Sequence, residues 1–264
     1  MTPDLEAALS AVRETEPLIN SVTNEVTVND VANITLHWGA LPVMSDDERE
    51  VADMVAAAQG VLLNMGTVSE DGEATMLTAG AAANEQGVPL VVDPVGVGAT
   101  PTRNRVAERL VTELDVSIVK GNYGEVSMLA GEAAEVRGVE SVGEYDDITA
   151  AAKACAEATD AVVVASGVTD VVATAEEAYE IEAGHELMGR VVGTGCMLGV
   201  TLAVFAAAMD DPLEAALAGT LAFGLAGERA AEEGVYQGPA SYKTAFLDAV
   251  AGFEPRGEAR ITDR

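Results

Sequence analysis

Short runs of consecutive apolar residues alternate with longer stretches of helical periodicity through much of the chain. The apolar runs, each bounded by Gly, Pro or Asn, span residues 17–22, 41–44, 60–64, 88–93, 116–120 and 161–166. The helical stretches between them span 48–58, 72–86, 103–113 and 146–158. Continuous apolar strands that alternate with helices are typical of a mostly parallel sheet whose two faces are both covered. The pattern therefore predicts an α/β fold with a central, mostly parallel β-sheet flanked by helices on both faces.

The pattern changes after the last of these strands. Two short apolar segments, 171–174 and 178–182, predict an antiparallel hairpin at the edge of the sheet. Residues 193–252 then have an almost entirely helical pattern, which breaks at Asp210-Asp211-Pro212 and again at 234–239.

One domain is expected for residues 1–264, because no linker, repeat or low-complexity block divides the chain. Within it, 1–15 and 254–264 are expected to be peripheral, and the polar 254–264 to fray. The most apolar run, 197–209, is shorter than the roughly 18 to 20 residues of a membrane span. The N-terminus lacks the basic-then-apolar pattern of a signal peptide. We therefore expect a cytoplasmic protein that does not bind a membrane.

The charge of the chain is strongly negative. Forty-four acidic residues oppose fourteen basic ones, which gives a net charge of −30. Nucleic-acid binding depends on Lys and Arg that neutralise phosphates, so this composition excludes it as a function class. The acids are dispersed over the sequence, and dispersed acid with few lysines indicates a surface adapted to high salt, as in a halophilic archaeon. The two cysteines do not suggest a disulfide framework.

A first candidate motif is VVDPVGVGAT, in which Asp93 ends a buried strand. Gly96 and Gly98 would let the backbone pass close to a ligand, and ligands of open α/β sheets gather at the carboxyl ends of the strands. A carboxylate at such a position can hold Mg²⁺ through water. The alternative is an Asp that caps the following turn.

A second candidate is VKGNYGEV. Lys120, one of only three lysines, closes a strand, and Asn122 and Glu125 follow on a turn that opens into a helix. Lys120 is a candidate for nucleotide phosphate and Glu125 for the same metal as Asp93. The alternative is a solvated strand end whose Glu125 is favoured by the helix dipole.

The third and strongest candidate is VVGTGC, which leads directly into a long apolar helix. The backbone N–H groups of Gly193-Thr194-Gly195 would converge on an anion at the helix start, as phosphoryl transfer requires. Cys196 would lie on the first turn, where the helix lowers a thiol pKa and favours activation of an alcohol. The alternative is a buried structural cysteine. Neither the dinucleotide fingerprint nor a P-loop is present.

The N-terminal segment TNEVTVNDVAN places Asn24 at a strand-to-helix junction. Thr27 and Asp30 have the spacing of a helix cap, which is the simplest interpretation of that pair. Asn24 has no such explanation. His37 and His185 are too isolated to indicate a metal site, and we expect both to be ordinary.

Taken together, the blocks PLINSVTNEVTVNDVAN, GALPVM, NMGT, DPVGVGAT, KGNYGE and GTGC resemble the hydroxyethylthiazole kinase family. They occur in the family's order, and the resemblance extends from about residue 17 to residue 253. It implies a ribokinase-like fold and a homotrimer with active sites between subunits. It also implies ATP- and Mg²⁺-dependent phosphorylation of 4-methyl-5-(2-hydroxyethyl)thiazole in thiamine salvage.

The resemblance also implies roles for individual positions. The expected substrate-binding residues are Asn24, Val26, Met44, Gly66 and Gly193, and the expected ATP-binding residues are Lys120, Asn122, Ser166, Thr194 and Gly195. Asp93 and Glu125 are expected to organise Mg²⁺, and Cys196 to be catalytic. The family commonly has Arg where this chain has Lys120. The lysine keeps the positive charge but lacks the bidentate fork of a guanidinium. Asn20-Ser21 replaces a stretch that often contains His.

Two other functions stay open on the residues alone. A ribokinase-like NAD(P)H-hydrate dehydratase would share the fold, but that group tends to carry Asp where this chain has Cys196. A non-catalytic thiazole or nucleotide sensor is disfavoured by the presence of Asp93, Glu125 and Cys196.

Overall fold

The computed structural model describes residues 1–136, 148–256 and 260–264. Within them, nine strands form one sheet with the order β2-β1-β3-β4-β5-β6-β7-β8-β9. The strands are β1 Leu18–Val22, β2 Leu41–Val43, β3 Gly60–Asn64, β4 Leu90–Asp93, β5 Ile118–Asn122, β6 Val162–Ser166, β7 Asp170–Ala173, β8 Ala178–Ile181 and β9 Ile261–Asp263. The pairings from β2 through β6 are parallel and the remaining ones antiparallel, so the predicted mostly parallel α/β fold is confirmed.

Ten helices and a short 3₁₀ helix, Glu186–Arg190, complete the described residues. The helices are α1 Leu5–Thr15, α2 Val28–Trp38, α3 Val51–Ala57, α4 Glu70–Gln86, α5 Pro101–Thr112, α6 Tyr123–Val136, α7 Ile148–Thr159, α8 Thr194–Ala208, α9 Pro212–Glu233 and α10 Pro239–Ala251. Their starts follow local chemistry. For example, Thr100 accepts a hydrogen bond from the Arg103 N–H at 3.2 Å, and Pro101 occupies the first position of α5.

The two faces of the sheet carry two separate hydrophobic cores. One lies between the sheet and α1, α2, α8, α9 and α10, and the other between the sheet and α3 to α7. The β3 strand is buried along its whole length because both faces are covered, which explains its continuous apolar run. Helix α8 is apolar on all sides because it packs on the sheet and is itself covered by other helices.

The expectation that the polar C-terminal segment frays is wrong. The segment expected to fray contains β9, which extends the sheet beyond the predicted hairpin, so β8 is not an edge strand. Helix α1 packs on the core through the buried side chains of Leu5, Leu9 and Val12. Amphipathic spacing of these residues, not their position in the sequence, decides this packing. None of the described helices is long and apolar enough to cross a membrane.

Candidate active site

The strand ends that carry the predicted site residues meet along one edge of the sheet. Strands β1, β3, β4 and β5 are parallel neighbours, so their carboxyl ends lie side by side. Asn64 ends β3 and Asp93 ends β4, and the two residues are direct partners in the strand register. Lys120 lies near the end of β5, and Asn24 follows β1.

A row of four buried side chains connects these strand ends. The Asn24 Nδ2 donates to Asn64 Oδ1 at 2.8 Å, and the Asn64 Nδ2 donates to Asp93 Oδ2 at 2.7 Å. Lys120 Nζ donates to Asp93 Oδ1 at 3.4 Å. Each of the four is at most 4 % exposed. We call Asn24, Asn64, Asp93 and Lys120 the polar row.

Cys196 joins one end of the polar row. The Asn24 Nδ2 also donates to Cys196 Sγ at 3.4 Å, although the two residues are 172 positions apart in the sequence. Cys196 lies on the first turn of α8 and is buried. Gly193, just before the helix, has a left-handed φ of 94°, and a Cβ there would come within 2.7 Å of Thr27 Cγ2. Only glycine satisfies both conditions, and it brings Cys196 against Asn24.

The start of α8 lies directly over the other end of the polar row. A Cβ on Gly195 would be 2.9 Å from Lys120 Nζ, and one on Gly199 would be 3.3 Å from Asp93 Oδ2. No side chain caps the first turn of α8 within the described part of the chain. The helix N–H groups and the Lys120 ammonium therefore converge on one place, an arrangement that is suited to an anion.

Burial and charge act in opposite directions on the Asp93–Lys120 pair. Burial is the main reason that the pKa of Asp93 is raised to about 6. The charge of Glu125 also raises this pKa, and the charge of Lys120 lowers it. Burial by itself lowers the pKa of Lys120, but the charges of Asp93, Glu125 and Cys196 outweigh it and raise this pKa above its ordinary value. Lys120 therefore keeps its positive charge in the buried site.

Glu125 fixes two loops at once. Its Oε1 accepts the Gly96 N–H at 2.7 Å, and its Oε2 accepts the Asn122 N–H at 2.8 Å. The Asn122 side chain in turn accepts the Glu125 N–H at 2.9 Å. Asn122 thus precedes α6 and holds the Glu125 carboxylate, whose charge acts on Asp93.

The donor set fits a magnesium ion better than a transition metal. Asp93 and Glu125 supply only oxygen donors, and the charge of Glu125 adds to burial, the main cause, in raising the pKa of Asp93. Among the described residues, no group of three or more His, Cys, Asp and Glu side chains could hold a metal. Mg²⁺ is commonly bound through one or two carboxylates, waters and substrate phosphates, which such a site allows.

A cleft of ≈ 700 Å³ opens beside the polar row. Its lining includes Ser166, Thr194 and Gly195, three of the residues expected to bind ATP. The Ser166 hydroxyl donates to Gly121 O at 3.2 Å, and the Thr194 hydroxyl donates to Val191 O at 2.7 Å. Both side chains therefore fix the walls of the cleft.

The expected substrate residues are brought together only in part. Gly66 lies against the polar row, because its N–H donates to Asn64 Oδ1 at 3.0 Å and a Cβ there would be 2.7 Å from Asn24. The Val26 N–H donates to Asn24 Oδ1 at 3.1 Å, but Val26 is 68 % exposed and is not part of the buried row. Met44, just beyond β2, packs against the core on the α8 side of the sheet.

The helix cap expected from Thr27 and Asp30 is wrong. Thr27 precedes α2, but its hydroxyl makes no capping bond and is buried without a hydrogen-bond partner among the described residues. Asp30 instead pairs with Lys243 at 2.6 Å. Asn24 stabilises the turn before α2 instead, because its Oδ1 accepts the Thr27 N–H at 3.1 Å.

Three residues of the site had no role in the expectations. Asn64 belongs to the NMGT block, but no role of its own was predicted for it from the sequence. A polar residue at the end of an apolar strand is the same signal that identified Asp93. His185 was expected to be ordinary, yet it lines the cleft. Asp170 also lines the cleft, and removal from solvent raises its pKa to about 7 against the hydrogen bond from Gly167 N–H and the charge of Lys120.

The fold of the described residues is ribokinase-like. A ribokinase-like superfamily protein from Enterococcus faecalis has a similar fold, with a TM-score of 0.66 over 91 % of this chain and 88 % of that one. Its sequence is only 13 % identical, so this likeness concerns the fold alone.

Closer comparisons define the family. The hydroxyethylthiazole kinase family matches residues 9–255, and the chain belongs to this family. A hydroxyethylthiazole kinase of Natronomonas pharaonis is 71 % identical over 253 residues, which is 95 % of this chain and 91 % of that protein. The structure of a hydroxyethylthiazole kinase protein from Pyrococcus horikoshii is 34 % identical, with a TM-score of 0.88 and 98 % of each chain covered. The dehydratase and sensor alternatives are not favoured.

Proposed function

We propose that this chain transfers the γ-phosphoryl group of ATP to the hydroxyl of 4-methyl-5-(2-hydroxyethyl)thiazole, in thiamine salvage. Family membership supports the reaction. The observation that carries it is the position of Cys196: its thiol lies on the first turn of α8 and accepts from Asn24, while the same turn covers Lys120. A hydroxyl placed beside Cys196 would therefore face an anion site suited to the transferred phosphoryl group.

The thiazole is proposed to lie against Asn24, Gly66 and Gly193, with Val26 and Met44 as apolar neighbours. Asn24 is held from both sides, because its Oδ1 accepts two backbone N–H groups and its Nδ2 contacts Asn64 and Cys196. Such a fixed amide orients a bound alcohol without reorganisation. Positioning of this kind supplies a large part of the rate in phosphoryl transfer.

The nucleotide is proposed to occupy the cleft lined by Ser166, Thr194 and Gly195, with Asn122 at its margin and its phosphates near Lys120. Asp93 and Glu125 are proposed to hold Mg²⁺, which would neutralise phosphate charge when bound. Lys120 balances the negative charge of Asp93 before the nucleotide arrives. Cys196 is proposed to position the hydroxyl and to assist its deprotonation.

We also propose that the enzyme is a homotrimer whose subunits meet near the site. Val26, Val28 and Val192 are exposed apolar side chains close to Gly193 and Thr27, and Leu36 and Leu41 extend the exposed apolar surface along α2 and β2. Exposed apolar groups in a cluster indicate a contact surface. Light scattering should give three times the chain mass, and Leu36→Glu should shift the particle towards the monomer.

The cytoplasm and a saline environment are the proposed setting. The net charge of −30 supports a surface that depends on screening by salt.

ADP release by the purified protein with Mg-ATP tests the reaction, measured with and without hydroxyethylthiazole across low and multimolar KCl. Thiazole-dependent turnover, with the phosphate ester identified by mass spectrometry, is the expected result. A folded protein that releases no ADP with the thiazole at any salt concentration would overturn the proposal. Turnover of hydrated nicotinamide cofactor would then support the dehydratase.

A further inference from the structure

A guanidinium group holds the strand ends of the site from the face of the sheet opposite α8. Arg103, in the first turn of α5, donates from Nη1 to Met65 O at 2.8 Å and to Val95 O at 2.6 Å. Its Nη2 donates to Gly66 O at 2.9 Å. The three acceptors belong to the loops that follow β3 and β4.

The partners of Arg103 are unusual for this chain. None of the described ion pairs includes Arg103, whereas Arg105 and Arg109 on the same helix both pair with Glu73. The guanidinium of Arg103 binds backbone carbonyls rather than a carboxylate, although acidic residues outnumber basic ones by 44 to 14 in this chain. The planar fork of a guanidinium can reach three carbonyls in fixed directions, which an ammonium cannot do.

The carbonyls that Arg103 binds are next to the polar row. Met65 follows Asn64, and the Met65 N–H donates to Asp93 O at 3.3 Å. Gly66 lies so close to the Asn24 side chain that a Cβ there would be 2.7 Å from it. Displacement of these carbonyls would therefore move Asn24, Asn64 and Asp93 together.

The loop after β4 is shaped around the same group. Gly96 has a left-handed φ of 78°, and a Cβ there would be 3.2 Å from Arg103 Nη1. The neighbouring Val95 N–H donates to Asp93 O at 2.8 Å, and the Gly96 N–H donates to Glu125 Oε1. Arg103 thus fixes the loop that connects Asp93 with Glu125.

We propose that Arg103 is a positioning residue for phosphoryl transfer. Its guanidinium holds the ends of β3 and β4 in the arrangement in which Asn64 bonds Asp93 and Asn24 faces Cys196. The expected effect of Arg103 on kcat rests on the proposed function. Its expected effect on the positions of the polar row rests on the geometry alone. Arg103 acts through these residues and touches neither substrate.

Kinetics of Arg103→Ala, Arg103→Lys and the control Arg105→Ala test the proposal at high KCl, well below each melting temperature. Arg103→Ala should lower kcat by about tenfold to 100-fold with a smaller change in the KM of the thiazole, because the site is misaligned rather than blocked. Arg103→Lys should not restore kcat, but added methylguanidinium should restore part of it in Arg103→Ala. Arg105→Ala loses the Glu73 ion pair and should keep its kcat.

A second measurement does not depend on the identity of the substrate. Alkylation of Cys196 by iodoacetamide, followed by mass spectrometry, reports how tightly Asn24 covers the thiol. The fully buried Cys155 is the internal reference. Arg103→Ala should speed alkylation of Cys196 several-fold, and Arg105→Ala should leave it unchanged.

Equal kcat in the two alanine variants, or equal Cys196 alkylation rates, would overturn the role of Arg103. Absence of thiazole-dependent turnover in the unaltered protein would overturn the proposed function instead. In that case the alkylation rates alone decide whether Arg103 holds the polar row.

Discussion

The amide of Asn64 donates to Asp93 Oδ2 at 2.7 Å, from the position directly opposite Asp93 in the paired strands. The Asn64 Oδ1 meanwhile accepts from Asn24. A neutral amide can do both, since it carries donors and acceptors on one planar group. An aspartate at position 64 would have no donor for Asp93 and would add a second negative charge beside it.

Replacement of Asn64 by Ala should impair both activity and stability. It removes the Asn64 donor from the buried Asp93 Oδ2 and one of the two acceptors of Asn24 Nδ2, which costs about 1–3 kcal/mol of the free energy of unfolding. Turnover should fall because Asn24 no longer holds a fixed position beside Cys196. Steady-state kinetics and chemical denaturation at high KCl measure the two effects.

Asn84→Ala is the matched control for this change. Asn84 makes two hydrogen bonds with the backbone of Asp115, at 2.7 and 2.8 Å, away from the polar row. This variant should lose stability and keep its kcat. If both variants lost stability to the same extent and kept full turnover, Asn64 would be structural only.

Changes at Cys196 separate base catalysis from positioning. Cys196→Ala should fold, because the thiol is small and its loss leaves little space, and its kcat should fall by about 100-fold if the thiol assists deprotonation. Cys196→Asp should remain active, since a carboxylate can take the proton. Full turnover in Cys196→Ala would eliminate the base role but leave the kinase assignment intact.

Asp170 makes stability depend on pH. Its folded-state pKa of about 7 lies above the ordinary 3.8, so the folded protein binds this proton more tightly than the unfolded chain. The free energy of unfolding should therefore fall as pH rises between these two pKa values. Asp93, with a pKa of about 6, contributes in the same direction, so the interval between about 6 and 7 belongs mainly to Asp170.

Asp170→Asn should flatten the upper part of this dependence. The amide oxygen can still accept the Gly167 N–H, which contacts Asp170 Oδ1 at 2.9 Å. Denaturation across this pH range at constant high KCl provides the measurement. Asp53→Asn, an exposed change of the same net charge, should retain the slope, and an unchanged slope in Asp170→Asn would contradict the assignment.

The melting temperature should rise steadily with KCl. At a net charge of −30 the folded surface repels itself, and screening shortens the range of that repulsion from about 10 Å at 0.1 M salt to about 3 Å at 1 M. Sorbitol at equal osmolarity is the control, because it does not screen charge. Full stability near zero salt would contradict a halophilic surface.

The sequence by itself determined the architecture and predicted the candidate residues of the site. Continuous apolar runs need cover on both faces, so they predicted the parallel sheet and nearly all its strands. Asp93, Lys120 and Cys196 were identified because each follows or ends such an element, and parallel strands bring their ends to one edge. Gly193 and Gly195 were identified because a small-residue turn before an apolar helix exposes backbone N–H groups.

Only the tertiary structure decided which of these residues touch. The Asn64–Asp93 bond joins residues 29 positions apart, and the contact of Asn24 with Cys196 spans 172. Strand register and the approach of α8 to the sheet set both contacts, and neither leaves a periodic signal in the sequence. The same holds for Arg103, whose acceptors are carbonyl groups that every residue has. Packing also overruled the polar composition at the C-terminus, because β8 offers an open edge with which β9 pairs.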